Sequence, residues 1–92
     1  MSNAIEKLAT VIEKYGGTTI HRDTNARNEL VEAYKGVAYE RHHTLKEKIV
    51  GILSDKSTAI DTFCNRAVAH CYSWTSEYYI NLKEGTIVSY TS

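Results

Sequence analysis

Cys64 and Cys71, together with histidines at 21, 42, 43 and 70, are the side chains of this chain with the widest chemical reach. A thiol beside an imidazole can act as a nucleophile, and adjacent histidines among cations can meet phosphate. The two cysteines are seven apart, without the CxxC spacing of zinc or redox sites. Both fall on an apolar stripe that reads as helical. There a cysteine serves as a small buried hydrophobe, and Cα atoms ~10.5 Å apart at 1.5 Å per residue exclude a disulfide. The expectation is two free, structural thiols. No glycine-rich phosphate loop, HExxH, GxSxG or EF-hand pattern occurs, and the acidic residues are spread singly, so the sequence names no catalytic centre, metal site or cofactor.

Two groups remain that can touch a partner. The first is the basic cluster Arg41, His42, His43, Lys46 and Lys48, diluted by Glu40 and Glu47. It reads either as a solvated helix surface or as a contact for phosphate or an acidic partner. The second is aromatic. Seven tyrosines stand against one phenylalanine, and Trp74, Tyr78 and Tyr79 crowd the C-terminal third ahead of Tyr90. A tyrosine at an interface buries its ring and keeps its hydroxyl wet, so the excess points to contact surfaces. Strand neighbours face opposite ways. If Tyr78 joins Ile80 and Leu82 inward, Tyr79 is left outside, with Trp74 as a second exposed ring. The candidate partner-binding set is Arg41, His42, His43, Lys46, Trp74 and Tyr79.

The elements that must position these residues follow from periodicity. Residues 3–15 form a helix through Ile5, Leu8, Val11, Ile12 and Tyr15. Asn3 and Glu6 are spaced as a capping box, and Gly16-Gly17 ends the helix. Thr18 to Arg22 read as a short strand, after which Asp23, Thr24 and Asn25 offer caps for the next helix. Residues 25–53 keep helical spacing, broken near Gly36 or at His42-His43-Thr44. A rival reading makes 30–41 a hairpin turning at Lys35-Gly36. Ser57 or Thr58 caps a third helix whose stripe is Ile60, Phe63, Cys64, Ala67, Val68 and Cys71. From Tyr78 the period falls to two, and Lys83-Glu84-Gly85 reads as a three-residue hairpin loop before Thr86 to Tyr90.

These elements predict an α+β fold, a small antiparallel sheet with helices packed on one face, and one compact domain over residues 1–92. The chain has 92 residues, 42% of them apolar and 24% charged, and no proline. That is too short for two cores and too ordinary in composition for disorder. Eleven basic residues balance eleven acidic ones, so any nucleic-acid contact must be local. No apolar run approaches a membrane span, and no signal-peptide pattern is read at the start; the expected address is cytoplasmic.

In size, neutrality and tyrosine content, and above all in the segment Met1 to His21, MSNAIEKLATVIEKYGGTTIH, the chain resembles phage-encoded anti-CRISPR proteins that inhibit type I surveillance complexes. The resemblance covers the chain in size and style and rests on no motif. It implies a non-catalytic inhibitor that binds a guide-RNA and protein complex of the host and blocks target DNA by steric or conformational effect. No small-molecule substrate is implied, and no residue roles are transferred. The alternative from the residues themselves is a small nucleic-acid-binding regulator using the Arg41 to Lys48 cluster. A third is an enzyme subunit or toxin-like hydrolase.

Overall fold

The computed structural model describes residues 3–63 and 67–91. Along the chain run α1 (Ala4–Tyr15), β1 (Thr19–Ile20), α2 (Thr24–Arg41), α3 (Lys46–Ser54), β2 (Ala59–Phe63), β3 (Val68–Tyr72), β4 (Ser76–Asn81) and β5 (Thr86–Thr91). The five strands form one antiparallel sheet in chain order, with the helices packed against one face, the α+β arrangement expected from the sequence. No helix among the described residues is long and apolar enough to cross a membrane.

The first two helices arise where the apolar spacing puts them. Leu8 and Ile12 of α1 meet Leu30, Val31, Tyr34, Val37 and Ala38 of α2, all buried. Each fully buried Leu or Ile contributes about 1.5–3 kcal/mol of transfer free energy. Asp23 caps α2 by accepting from Ala26 N–H at 3.1 Å. The Asn3–Glu6 capping box does not form: Asn3 has helical dihedrals and its side chain makes no cap bond. A side chain caps from an extended residue, and Asn3 is already wound into the turn.

The long helical stretch breaks at His42-His43-Thr44, one of the two expected places, and Gly36 is passed without a break. His42 takes the left-handed conformation at φ 54°, while the His42 and His43 N–H groups close onto the carbonyls of Tyr39 and Ala38. The hairpin alternative for 30–41 is excluded, since those residues lie within α2.

The expected third helix is overturned. Of its stripe, Ile60 and Phe63 lie in β2 and Val68 and Cys71 in β3, strands paired from Ala59↔Tyr72 to Phe63↔Val68. Ile60 and Thr62 point to the helices together with Ala69 and Cys71, whereas Asp61 and Phe63 share the opposite side with Val68, His70 and Tyr72. Ile60, Ala67 and Cys71 satisfy a helical period by their spacing, but the segment is rich in β-branched and aromatic residues suited to a pleated surface. Cross-strand pairing with β4 then supplies a hydrogen-bonded ladder on the other side of β3. Cys71 sits fully buried in β3 as a free thiol, so it is a core residue as expected, on a strand and not on a helix. Cys64 lies outside the described residues, and the helical spacing argument for the pair falls with the helix.

The C-terminal hairpin forms, with a four-residue loop in place of the expected three. Asn81 pairs with Thr86, and Leu82 leaves the strand to bury its side chain while donating its N–H to Ala67 O at 2.8 Å. Gly85 closes the turn at φ +74°, a conformation that suits glycine.

Candidate binding surface

Packing the helices on one face leaves the other face of the sheet without a covering element among the described residues. Strand register assembles it in rows. One row runs Thr19, Asp61, His70, Tyr79 and Val88; its neighbour runs Ala59, Tyr72, Glu77 and Tyr90. Phe63, Tyr79, Val88 and Tyr90 on this face are 46, 37, 52 and 58% exposed, and Trp74, in the β3–β4 turn beside it, is 100% exposed.

His70 organises the centre. Its ring stacks on Tyr79 at 4.4 Å and 9°, and on Tyr72 at 4.7 Å and 26°. Nε2 lies 2.7 Å from Glu77 Oε2, and Nδ1 lies 3.8 Å from Asp61 Oδ2. Asp61 in turn accepts from Thr19 Oγ1 at 2.7 Å, and Tyr90 meets Tyr79 edge-on at 5.8 Å. A carboxylate-held imidazole is half of an acid–base relay. Here the ring faces are covered by tyrosines, and the arrangement fixes the aromatic rings in place. The outcome is a preorganised aromatic surface, in which little side-chain entropy remains to be lost on docking.

At the Ala59–Tyr72 end of the sheet a groove of about 490 Å³ opens, lined by His21, Arg22, Lys56, Ser57, Thr58, Tyr72, Ser73 and Trp74 among others. Its walls come from the β1–α2, α3–β2 and β3–β4 connections, and a buried arginine holds the first two together. Arg27 donates from Nε to His21 O at 2.9 Å and from Nη1 to Leu53 O at 3.0 Å; Nη2 donates to His21 O and Thr58 O. Burial pushes the Arg27 guanidinium below its ordinary pKa, an effect that the charge of Asp55 offsets only in part.

The expected partner-binding residues separate into two regions. Tyr79 belongs to the open sheet face and Trp74 to its groove end, with Tyr79 outside and Tyr78 partly buried against the core. Arg41, His42, His43 and Lys46 lie instead at the α2–α3 corner, where Arg41 and His43 meet the β4–β5 turn. There Arg41 Nη1 lies 3.8 Å from Glu84 Oε1. His43 faces inward: Nδ1 is 2.9 Å from Tyr34 Oη and Nε2 is 3.1 Å from Lys83 O, so its ring ties helix to hairpin. Lys46 borders a second groove with Lys35, Tyr39, Glu47, Val50 and Gly51, and His42 is exposed. Cys71 bears no sign of reactivity, since burial pushes its thiol up to about 12.

Sequence reasoning missed Asp61, His70, Tyr72 and Glu77 as members of one surface, and Arg22 and Lys56 as members of one groove. Asp61-Phe63 and His70-Tyr72 alternate polar and aromatic residues at period two, a signal masked by the helical stripe through the same segment. Arg22 and Lys56 are 34 positions apart and carry no joint local pattern. Compared with known proteins, the chain matches no protein-family model, no curated protein and no solved structure.

Proposed function

We propose that the protein is a non-catalytic inhibitor that binds a CRISPR guide-RNA and protein surveillance complex and blocks target DNA by occupying its surface. The observation that carries the binding half of this reading is the open sheet face, on which Phe63, Tyr79, Val88 and Tyr90 stand exposed around a stacked His70. An exposed cluster of large apolar and aromatic side chains suits a desolvated interface, and rigid tyrosines are favoured there. The resemblance of the Met1 to His21 segment and of the whole chain's style supports the choice of partner. The α2–α3 corner, with His42 exposed and Lys46 half-buried, offers a second contact.

The test is titration of a purified type I surveillance complex. Inhibition saturates at a fixed molar ratio, leaves the masses of guide RNA and subunits unchanged, and weakens at least about tenfold for Tyr79→Ala or Tyr90→Ala, the size of effect expected of an interface hot spot. Substoichiometric, time-dependent inactivation with a covalent change in the target would replace occupancy by catalysis. Absence of any effect on such complexes would reject the partner.

A further inference from the structure

The groove at the end of the sheet has a different chemistry from the face it adjoins. His21, Arg22 and Lys56 line it, all exposed, and among the described residues no carboxylate does. The carboxylates on the same two loops are engaged elsewhere. Asp23 caps α2 through Ala26 N–H, and Asp55 Oδ1 accepts from Ser57 N–H at 2.9 Å and from Ser57 Oγ at 2.7 Å, bonds that hold its carboxyl below the usual range. Arg22 and Lys56 form no ion pair among the described residues. Tyr72 and the wholly exposed Trp74 line the same groove. Cations beside an uncovered indole are the two components a protein uses to hold a nucleotide strand, charge for the phosphate and a flat ring for the base.

We infer that this groove docks a single-stranded nucleic-acid segment, with phosphates held by Arg22 and Lys56 and a base stacked on Trp74. Its volume suits about one nucleotide, within the ~300–1,000 Å³ of small-ligand sites. A duplex is excluded because its bases are already stacked and offer no face to the indole, whereas a single strand can splay one out. An acidic peptide would use the cations and leave the indole idle. Arg27 makes the geometry durable, because its guanidinium joins the carbonyls of His21 and Thr58 and so fixes the spacing of the loops that carry Arg22 and Lys56. The inference goes beyond the occupancy reading and stands apart from it, since the contact is with bare nucleic acid and requires no surveillance complex.

Trp74 is the one tryptophan in the chain, so its fluorescence reports the site directly. The experiment titrates the full chain with a ten-nucleotide oligo-U, the matching oligo-dT, a ten-base-pair DNA duplex and poly-glutamate at several salt concentrations. The expected result is quenching of Trp74 by both single strands, with a log–log salt slope of about −1.4 for the two phosphates held by Arg22 and Lys56. The duplex and poly-glutamate leave the signal unchanged. Binding by Arg22→Glu/Lys56→Glu falls below detection, and Trp74→Ala, followed with a labelled strand, binds on the order of tenfold more weakly. Lys7→Glu, on exposed α1, binds as the parent does. All four altered positions are exposed, and melting curves confirm the fold. No quenching by either single strand would overturn the inference, as would equal affinity for the duplex or for poly-glutamate. Preference between oligo-U and oligo-dT identifies which strand the site accepts.

Discussion

Replacing Arg27 by Met tests whether one buried cation holds the loops around the groove. Arg27 is 2% exposed, and its guanidinium donates to three carbonyls, those of His21, Leu53 and Thr58. Methionine fills much of the aliphatic volume but donates nothing, so the bonds to Leu53 O and Thr58 O, both buried, are lost outright. At about 1–3 kcal/mol for each buried acceptor left unmade, the loss is about 2–6 kcal/mol. Relief of the desolvated charge, visible in the lowered pKa of Arg27, offsets part of it, and the expected net destabilisation is about 2–4 kcal/mol. A chain of this length has a total stability of about 5–14 kcal/mol, so the variant remains folded with a much reduced margin. The assay is urea unfolding followed by far-ultraviolet circular dichroism. With a slope of about 1.5 kcal/mol per molar, a 3 kcal/mol loss moves the midpoint down by about 2 M at unchanged slope. Arg27→Lys, whose single ammonium cannot reach three diverging carbonyls, is expected to recover less than half of the loss. A Met variant within about 1 kcal/mol of the parent, or a Lys variant equal to it, would refute the clamp.

Two further perturbations probe the core and the hairpin. In Gly85→Ala the new Cβ would lie 2.5 Å from His43 Cγ and Nδ1 on a backbone at φ +74°. Strain plus loss of the His43 bonds to Tyr34 and Lys83 predicts about 2–4 kcal/mol of destabilisation in a thermal melt, and a loss under about 1 kcal/mol would refute the packing of His43 against the turn. Burial holds the Cys71 thiol and the Tyr34 phenol up to about 12, above ordinary values near 9 and 10. Above pH ~9 the unfolded chain therefore sheds protons that the folded one retains. Stability is full below that pH and falls by about 1.4 kcal/mol per unit for the thiol, more steeply once the phenol joins above pH ~10. Chemical denaturation at pH 8, 9.5 and 10.5 checks the trend, Cys71→Ala flattens its first part, and a pH-independent midpoint would contradict the burial of these groups.

Local pattern alone determined the elements whose partners lie close in sequence. The amphipathic spacing of Leu8 and Ile12 specified α1, the cap run Asp23-Thr24-Asn25 marked the start of α2, and the alternation around Tyr78, Tyr79 and Ile80 with Gly85 beyond it specified a hairpin and the outward side of Tyr79. The α+β fold class followed from these. The strands β2 and β3 were decided only in three dimensions. Their apolar residues fit a helix by spacing, yet β3 gains a ladder on both sides, with β2 and β4, and that sheet hydrogen bonding leaves no mark in the segment itself. The same reason governs the surfaces. His43 is an outward cation by its neighbours in sequence and a buried-side tie by its bonds to Tyr34 and Lys83. Arg22, Lys56 and Trp74 come from three separate connections, and they share a groove because a distant arginine spans the carbonyls behind two of them. Periodicity reports which side of an element is apolar; which elements meet, and therefore which polar residues converge, depends on long-range packing and backbone pairing that a local pattern does not encode.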